Sequence, residues 1–258
     1  MKKWSMVKLA HLIFWSLAIL GLVLSMAYVS GEEKAQQCRD VEIRIMPELE
    51  THFADRDDVA KLINGSGNMA ALVGKPMRTL DVSDIERNLE TSPYIRNAEV
   101  FADLDGSLRI EVEQKKPILR VFMQHSKGFY IDADGHKMPL STKYSARVLT
   151  VTGHVKEVYG QTDSLKMDQT EDLYRLALFI SEDDFWSKQI QGIYIRQNGD
   201  FELLPLVGDQ IILFGGVDRM EEKFKNLWLF YRKAMNLVGW DTYKVINLKY
   251  SGQVVCEK

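Results

Sequence analysis

The hydrophobic pattern of the chain opens with one long apolar run near the N-terminus. Between Leu9 and Ser30 the only ionisable side chain before Tyr28 is that of His11. About twenty apolar residues in a helix, each rising roughly 1.5 Å, span a hydrocarbon core of about 30 Å. We therefore predict a transmembrane anchor at residues 9–30, preceded by a short tail at residues 1–8.

Charged residues on the two sides of this run predict its orientation. Lysines precede it and glutamates follow it, so the positive-inside rule places the N-terminus in the cytoplasm and the bulk of the chain outside. A cleaved secretory signal is the alternative, because Ser25-Met26-Ala27 resembles a cleavage site. The apolar part of such a signal covers only about 7–15 residues. The length of this run therefore favours an uncleaved anchor.

Beyond a charged tether at residues 31–40, the pattern indicates a strand followed by two helices. Residues 41–46 alternate apolar and polar side chains, which is typical of a half-buried strand. Asp55 is the predicted N-cap of the first helix. Ser83 and Glu86 have the spacing of a capping box for the second. Apolar stripes at helical spacing support both helices: Val59, Leu62 and Ile63, then Val82, Ile85 and Leu89.

Two further strands complete this region. Residues 97–103 and 107–114 alternate, and the Asp105-Gly106 pair between them is a hairpin signal. The side chains predicted to face inward are Ala98, Val100 and Ala102, then Leu108, Ile110 and Val112. Strand, helix, helix, strand, strand in this order predicts a small α+β unit with both helices on one face of the sheet.

From Pro117 onward, short strands separated by Gly- and Asp-rich turns predict a mostly antiparallel sheet. Two amphipathic helices interrupt it, at residues 168–183 and 218–238. Asp218 and Glu221 form a predicted capping box for the second helix. The apolar stripes are Leu173, Leu176, Ala177 and Ile180 in the first, and Met220, Phe224, Leu227, Tyr231, Met235 and Val238 in the second.

The last segment of the chain, Val245–Lys258, alternates apolar and polar residues and then stops. This pattern predicts a terminal strand whose outer N–H and C=O groups lack a partner strand. Proteins usually cover or blunt such an edge. The segment therefore raises the question of what pairs with it.

Composition changes this picture little. Of the 258 residues, 46% are apolar and 27% are charged, as in an ordinary globular protein. The net charge of -3 gives no basic face or stripe for nucleic acid. The two cysteines, Cys38 and Cys256, either form a disulfide in an oxidising compartment or are separate small apolar residues.

The sequence indicates no catalytic, cofactor-binding or metal-binding residues. Residues 65–70 match G-x-G-x-x-A, but they follow a helix rather than the strand that a dinucleotide site requires. Residues 132–136 resemble the start of a calcium loop, yet Lys143 stands where its twelfth-position carboxylate belongs, so we predict a turn. Neither H-E-x-x-H nor G-x-S-x-G occurs. A site formed by carboxylates that are distant in the sequence and close only in the fold stays an open alternative at this point.

Residues 80–121 resemble the POTRA domain of the FtsQ/DivIB family of bacterial cell division proteins. The family's Pro-Trp-Val and Ala-x-Val are matched by Pro-Tyr-Ile at 93–95 and Ala-Glu-Val at 98–100, with tyrosine in place of tryptophan. Residues 113–117 are similar to the family's Glu-Arg-x-Pro, with one extra residue. Two later stretches also resemble the family: residues 213–231 and residues 246–250.

This resemblance implies an α+β protein with a single N-terminal transmembrane helix. A βααββ POTRA domain would occupy residues 41–116, and a mostly antiparallel β domain with flanking helices would occupy residues 117–258, ending in a helix and a strand. The implied function is that of a non-enzymatic divisome scaffold with no cofactor and no small-molecule substrate. Such a protein lies in the bacterial inner membrane at the division septum, with its C-terminus in the periplasm, and links early and late division proteins.

The resemblance also implies partners. In this family the POTRA domain contacts other divisome components, and the β domain binds the FtsB/FtsL pair, mainly through its last strand and the adjoining helix, by β-strand addition. The implied contact residues are Tyr250, Ser251 and Gly252, with Lys249, Gln253 and Val254 as neighbours. For Tyr250 the alternative is a place in the core, because an alternating strand buries one of its faces.

Two other functions fit parts of the pattern. A POTRA protein of outer-membrane assembly or secretion would share the βααββ unit, but such chains normally carry several POTRA units. An anchored extracytoplasmic hydrolase would instead have a pocket in which titratable residues with shifted pKa values converge.

Overall fold

The computed structural model of the chain describes residues 6–33, 36–46, 52–65, 67–123, 127–160 and 164–258. The chain packs into two compact units. The first takes in Ala54–Glu113 and the residues up to Met46, and the second takes in Gln114–Lys258 with the short segment that ends at Phe53.

The first helix, α1, covers Met6–Glu33, and its side chains are described at residues 11–26. The large apolar side chains among them are exposed, Phe14 at 66% for example. Within the part of the chain that the structure describes, no helix is long and apolar enough to cross a membrane. The anchor at residues 9–30 therefore stays a prediction, and residues 1–5 of the predicted tail lie outside the described residues.

The first unit is a three-stranded sheet with two helices packed against it. Its elements are β1 (Asp40–Ile45), α2 (Arg56–Asn64), α3 (Val82–Glu90), β2 (Ile95–Ala102) and β3 (Ser107–Gln114). The strands lie in the order β1-β3-β2, with β1 parallel to β3. The predicted α+β class is confirmed, and the elements follow the predicted βααββ order.

The central strand β3 lies in the middle of the core of this unit. Three of its side chains have no exposed surface: Leu108, Ile110 and Val112. They lie on one face because successive side chains of a strand alternate, and Ile85 and Leu89 of α3 are buried in the same cluster. Ala102, which was predicted to face inward, is exposed, because it is the last residue of β2 and lies next to the turn.

The cap predicted for α2 is confirmed. Asp55 accepts a hydrogen bond from the amide of Asp58 at 2.9 Å, and the Asp58 carboxylate accepts one from the amide of Asp55 at 3.1 Å. Two amides at the start of the helix, which have no partner within it, are thereby satisfied.

The capping box predicted for α3 from Ser83 and Glu86 is wrong. Asp81 is the N-cap, and its Oδ1 accepts a hydrogen bond from the amide of Asp84 at 3.0 Å. Glu86 instead accepts a hydrogen bond from the amide of Val100 in β2 at 2.9 Å. The glutamate therefore satisfies a donor of the edge strand rather than one of its own helix.

The second unit is built on a nine-stranded sheet. Its strands are β4 (Pro117–Val121), β5 (Phe129–Asp132), β6 (Lys137–Pro139), β7 (Leu149–Gly153), β8 (Ile190–Ile195), β9 (Phe201–Pro205), β10 (Ile211–Gly215), β11 (Val245–Asn247) and β12 (Val255–Glu257). They lie in the order β12-β11-β10-β9-β8-β7-β4-β5-β6. Five neighbouring pairs are antiparallel and three are parallel, which confirms a mostly antiparallel sheet.

In the described part of this unit, four α-helices accompany the sheet. They are α4 (Asp168–Glu182), α5 (Trp186–Gln189), α6 (Met220–Phe230) and α7 (Asn236–Val238). The predicted stripe of α4 is confirmed, since all four of its residues are buried in the core of the unit: Leu173, Leu176, Ala177 and Ile180.

The helix predicted at residues 218–238 differs from the expectation in two ways. Asp218 and Glu221 form no capping box, because Arg219 is the N-cap, with φ 48°, and Asp218 pairs with Lys223 at 3.2 Å instead. The helix is also interrupted by a π turn, Tyr231–Met235, between α6 and α7. The apolar stripe is buried from Phe224 to Met235, whereas Val238 is exposed.

The terminal strand predicted at Val245–Lys258 is two strands, β11 and β12, which pair antiparallel with each other. Gly252 between them has a φ of 70°, a left-handed conformation that favours glycine and cannot continue a strand. The Asn247 side chain accepts a hydrogen bond from the amide of Lys249 at 3.0 Å and so starts the turn. The alternation that predicted one strand continues across this turn, so periodicity alone missed it.

Substitutions at Asp81 and Ser83 distinguish the observed cap of α3 from the predicted one. We expect Asp81→Ala to lower the local stability of the first unit by about 1 kcal/mol, because an amide at the helix start loses its acceptor. Ser83→Ala is the matched control and changes that stability by less than about 0.5 kcal/mol. Hydrogen exchange of the β3 amides in the full chain measures both. A larger loss of stability in Ser83→Ala than in Asp81→Ala would mean that Ser83, and not Asp81, caps the helix.

Candidate partner-binding surface

One edge of the nine-stranded sheet is covered by the chain itself. This edge is β6, and beside it His136 forms an isolated antiparallel bridge with Ser164. Lys137 of β6 donates a hydrogen bond to Glu157 at 2.8 Å, and both side chains are almost completely buried. The second oxygen of Glu157 accepts from the amide of Met167 at 3.0 Å. The described parts of the connection between β7 and α4 thus contact the β6 edge through Glu157 and Ser164.

The other edge of the sheet is β12, and it is open. Among the described strands β12 pairs only with β11, so one side of its main chain has no partner. The neighbouring strand β11 is anchored in the core, since Ile246, which lies opposite Cys256 of β12, is fully buried. Cys256 and Cys38 are free thiols in the structure. An uncovered edge of this kind is a template for pairing with a further strand.

The residues predicted to contact a partner lie in the turn before β12, not within a strand. Tyr250 is 53% exposed, so the alternative that it belongs to the core is ruled out. Val254 is half-buried and packs against the core. The other four are exposed and lie beside Tyr250: Lys249, Ser251, Gly252 and Gln253.

The start of α6 holds this turn from one side. Glu222 accepts hydrogen bonds from the amide of Gly252 at 2.9 Å and from the hydroxyl of Ser251 at 3.4 Å. Arg219 donates to the carbonyl oxygen of Lys249 at 3.4 Å, and its guanidinium lies 3.9 Å from Glu222. Arg219, the N-cap of α6, and Glu222 in the first turn of the helix thus bind the main chain of this turn at two points.

The turn between β8 and β9 holds the same segment from the other side. Lys249 donates a hydrogen bond to Asp200 at 2.7 Å. This bond and the charge of the ammonium hold the pKa of Asp200 below its usual range, although partial burial acts in the opposite direction. Gly215 at the end of β10 makes the approach possible, because a Cβ there would lie 3.1 Å from Cγ of Lys249.

A buried lysine sets the position of α6 itself. Lys223 is 3% exposed and donates to the carbonyl of Gly216 at 2.8 Å and to Asp218 at 3.2 Å. Its ammonium also lies 4.9 Å from the centre of the Phe214 ring. Burial opposes ionisation of Asp218, but the hydrogen bond and charge of Lys223 outweigh it and hold the pKa of Asp218 low. These contacts fix the corner between β10 and α6, from which Glu222 reaches the turn.

Sequence reasoning missed the four side chains that hold the turn in place. Arg219 and Glu222 have the three-residue spacing of a helix-surface pair, which is a weak signal. Asp200 carries no local signal, because its partner Lys249 lies 49 positions away in the chain. The partners of Lys223 are nearby, Gly216 and Asp218, but their spacing matches no standard capping motif.

One group of potential metal ligands lies in the described part of the chain. Ligand atoms of Asp132, Asp134 and His136 lie within 4.8 Å of one another. Oδ1 of Asp132 accepts from the amides of Asp134 and His136 at 3.0 and 2.7 Å, so it stabilises the predicted turn between β5 and β6. Burial raises the pKa of Asp132, and the ammonium of Lys115 lies 3.8 Å from its other oxygen. This arrangement fits a structural turn better than a cation site.

The first unit has the βααββ order of a POTRA-like domain, and it is followed by a large sheet with an edge strand, β12, that no other described strand covers. Residues 36–113 match the family model of the POTRA-like domain. Residues 116–257, more than half of the chain, match the model described as FtsQ/DivIB, C-terminal related. The chain belongs to the FtsQ/DivIB family, as the resemblance in its sequence indicated. No curated protein matches the chain.

Removing the Glu222 carboxylate tests how the turn is held. We expect Glu222→Ala to raise the hydrogen-exchange rate of the Gly252 amide about fivefold, because a charged acceptor of that donor is lost at a partly exposed site. Glu221→Ala is the matched control, since Glu221 is exposed on the same helix turn. Equal rates in the two variants would mean that α6 does not hold the turn.

The pairing of Lys249 with Asp200 predicts a pH dependence. Because the pKa of Asp200 is lowered in the folded protein, the pair stabilises the turn fully above the unfolded-state pKa of about 3.9. That contribution is lost as pH falls below it, through the lowered folded-state pKa. In Lys249→Gln we expect the pKa of Asp200 to rise toward its usual value, as followed by carboxyl carbon NMR. Lys225→Gln, an exposed lysine on α6, is the control and should leave the titration of Asp200 unchanged.

Proposed function

We propose that the chain is a non-enzymatic scaffold of the bacterial division septum that captures a partner pair of the FtsB/FtsL kind through its C-terminal hairpin. Membership of the FtsQ/DivIB family supports a role in cell division. The POTRA-like match supports a scaffold rather than an enzyme. The observation that carries the proposal is the open edge of β12 beside a turn that α6 and Asp200 hold in place.

The proposed binding mode is β-strand addition. A segment of the partner pairs with the outer side of β12, where main-chain hydrogen bonds supply affinity and alternate side chains supply the register. Since β12 has only three residues, the preceding turn must add contacts. Tyr250 is suited to this, because exposed tyrosines are enriched among residues that dominate binding energy. The proposed contact set is Tyr250, Ser251 and Gly252, with Lys249, Gln253 and Val254 beside them.

We place the protein in the inner membrane, with an anchor at residues 9–30 and a cytoplasmic tail at residues 1–8. The apolar run in the sequence supports the anchor. The exposed apolar side chains of α1 agree with it, since such patches commonly mark contact with a membrane or another protein. The C-terminal part then lies in the periplasm. This part consists of the tether at 31–40, the POTRA domain at 41–116 and the β domain at 117–258.

In this arrangement the two domains have different partners. The POTRA domain contacts other divisome components, and the β domain binds the FtsB/FtsL-like pair. The scaffold thereby links early and late division proteins during septum formation. Depletion should give filamentous cells, and the fluorescently tagged protein should collect at midcell. Normal division after depletion would contradict the proposal.

Truncating the exposed tyrosine tests the binding surface. We expect Tyr250→Ala to weaken binding of the full chain to a co-purified FtsB/FtsL-like pair by at least about tenfold, because an aromatic contact residue is lost. Deleting residues 253–258, which removes β12, should abolish binding. Biolayer interferometry with the chain in nanodiscs measures both.

Phe101→Ala is the control for this test. Phe101 is also an exposed aromatic residue, 43% exposed, but it lies on β2 of the first unit. Its replacement should leave the affinity unchanged. If Tyr250→Ala and the deletion bind as tightly as the unmodified chain, the hairpin is not the contact surface, even though the family assignment stands.

A further inference from the structure

A cleft in the second unit is lined by strands that are separated from β12 in the sheet by at least three other strands. It opens where the parallel strands β4, β7 and β8 begin, beside the C-terminal end of α4. Its volume is about 210 Å³. The floor is apolar and fully part of the core: Ile118, Ala177, Ile180 and Ile190.

The rim of this cleft is cationic. Lys116 lies at the start of β4 and Arg147 lies just before β7, and both side chains are exposed. Among the described residues, neither the ammonium of Lys116 nor the guanidinium of Arg147 has an ion-pair or hydrogen-bond partner. The rim is completed by the hydroxyl-bearing Ser181 and Ser187.

Among the described residues no carboxylate lines the cleft, although the chain next to it is acidic. Asp183 follows the C-terminal end of α4, but its carboxylate accepts hydrogen bonds from the amides of Phe185 and Trp186 at 2.9 and 2.8 Å. It is therefore committed to the start of α5. The charged groups of Lys116 and Arg147 are therefore available to bind an anion from outside the chain.

The size of the cleft indicates what kind of group enters it. Sites for complete small molecules are usually about 300–1,000 Å³, so this cleft is too small for one and suits a single aliphatic side chain. We propose that the cleft binds an acidic segment of a protein partner, which inserts one aliphatic side chain onto the apolar floor and places carboxylates on Lys116 and Arg147. This surface is separate from the C-terminal hairpin and would serve a second partner.

A short synthetic peptide provides the probe. Acetyl-Glu-Gly-Leu-Gly-Glu-amide, labelled with fluorescein, is titrated with the full chain in nanodiscs and followed by fluorescence anisotropy at low salt. We expect weak, saturable binding that falls as salt is added, because exposed ion pairs are screened. Replacing the leucine of the peptide by glycine should weaken binding by about tenfold or more. Replacing both glutamates by glutamine should abolish detectable binding.

Variants of the chain show whether the peptide occupies this cleft. Lys116→Gln and Arg147→Gln should each weaken binding about threefold, as expected for an exposed ion pair. Ser187→Phe should block the cleft from its rim. Lys188→Gln is the matched control, because Lys188 is an exposed cation on α5 that does not line the cleft. The chain with Tyr250→Ala should also bind the peptide with unchanged affinity. Failure of the cleft proposal would therefore leave the proposed hairpin contact untouched.

Three results would overturn the proposal. The first is an absence of saturable binding. The second is an equal loss in Lys188→Gln and Arg147→Gln, which would mean non-specific attraction to a cationic surface. The third is displacement of the peptide by sodium octanoate that binds more tightly, which would make the occupant a free acyl anion rather than a protein segment.

Discussion

The buried ammonium of Lys223 is the interaction on which the candidate surface depends. A buried charge is costly unless it is paired and hydrogen-bonded. Here the carbonyl of Gly216, the carboxylate of Asp218 and an aromatic ring face provide that compensation. Because Lys223 lies in the first turn of α6, satisfying it determines where the helix begins. Glu222 precedes Lys223 in the chain and is thereby held where its carboxylate accepts a hydrogen bond from the Gly252 amide.

The two edges of the sheet are treated in opposite ways. The β6 edge is covered by a segment fixed through the buried pair of Lys137 and Glu157, and losing one partner of such a pair typically costs about 3–5 kcal/mol. The β12 edge has no such cover among the described residues, but β12 is only three residues long. A short edge strand limits indiscriminate pairing. Specificity at this edge must therefore come from the turn that precedes it.

Local patterns predicted the helices and strands of both units well, because burial on one face leaves a period in the sequence. They failed where a side chain bonded to a partner other than the one that the local motif predicts. Glu86 was expected to cap its own helix but bonds to an edge strand, and Asp218 was expected to cap α6 but pairs with a buried lysine. The turn at Gly252 was missed because the alternation of apolar and polar residues continues through it. Its partner Glu222 lies thirty positions away, a distance that no local pattern reports.

The way the turn is held also determines what kind of recognition it allows. Its surroundings contain both signs of charge in close pairs, Lys249 with Asp200 and Arg219 with Glu222, so little net field is left to steer a partner. Fixing the turn before binding reduces the ordering entropy that association would otherwise cost. In the proposed complex, discrimination at the hairpin would then rest on main-chain register and on the fit around Tyr250. The α4 cleft has the reverse character, with unpaired cations around an apolar floor, so its selectivity would rest on charge. The two proposed surfaces would therefore select ligands of different chemistry.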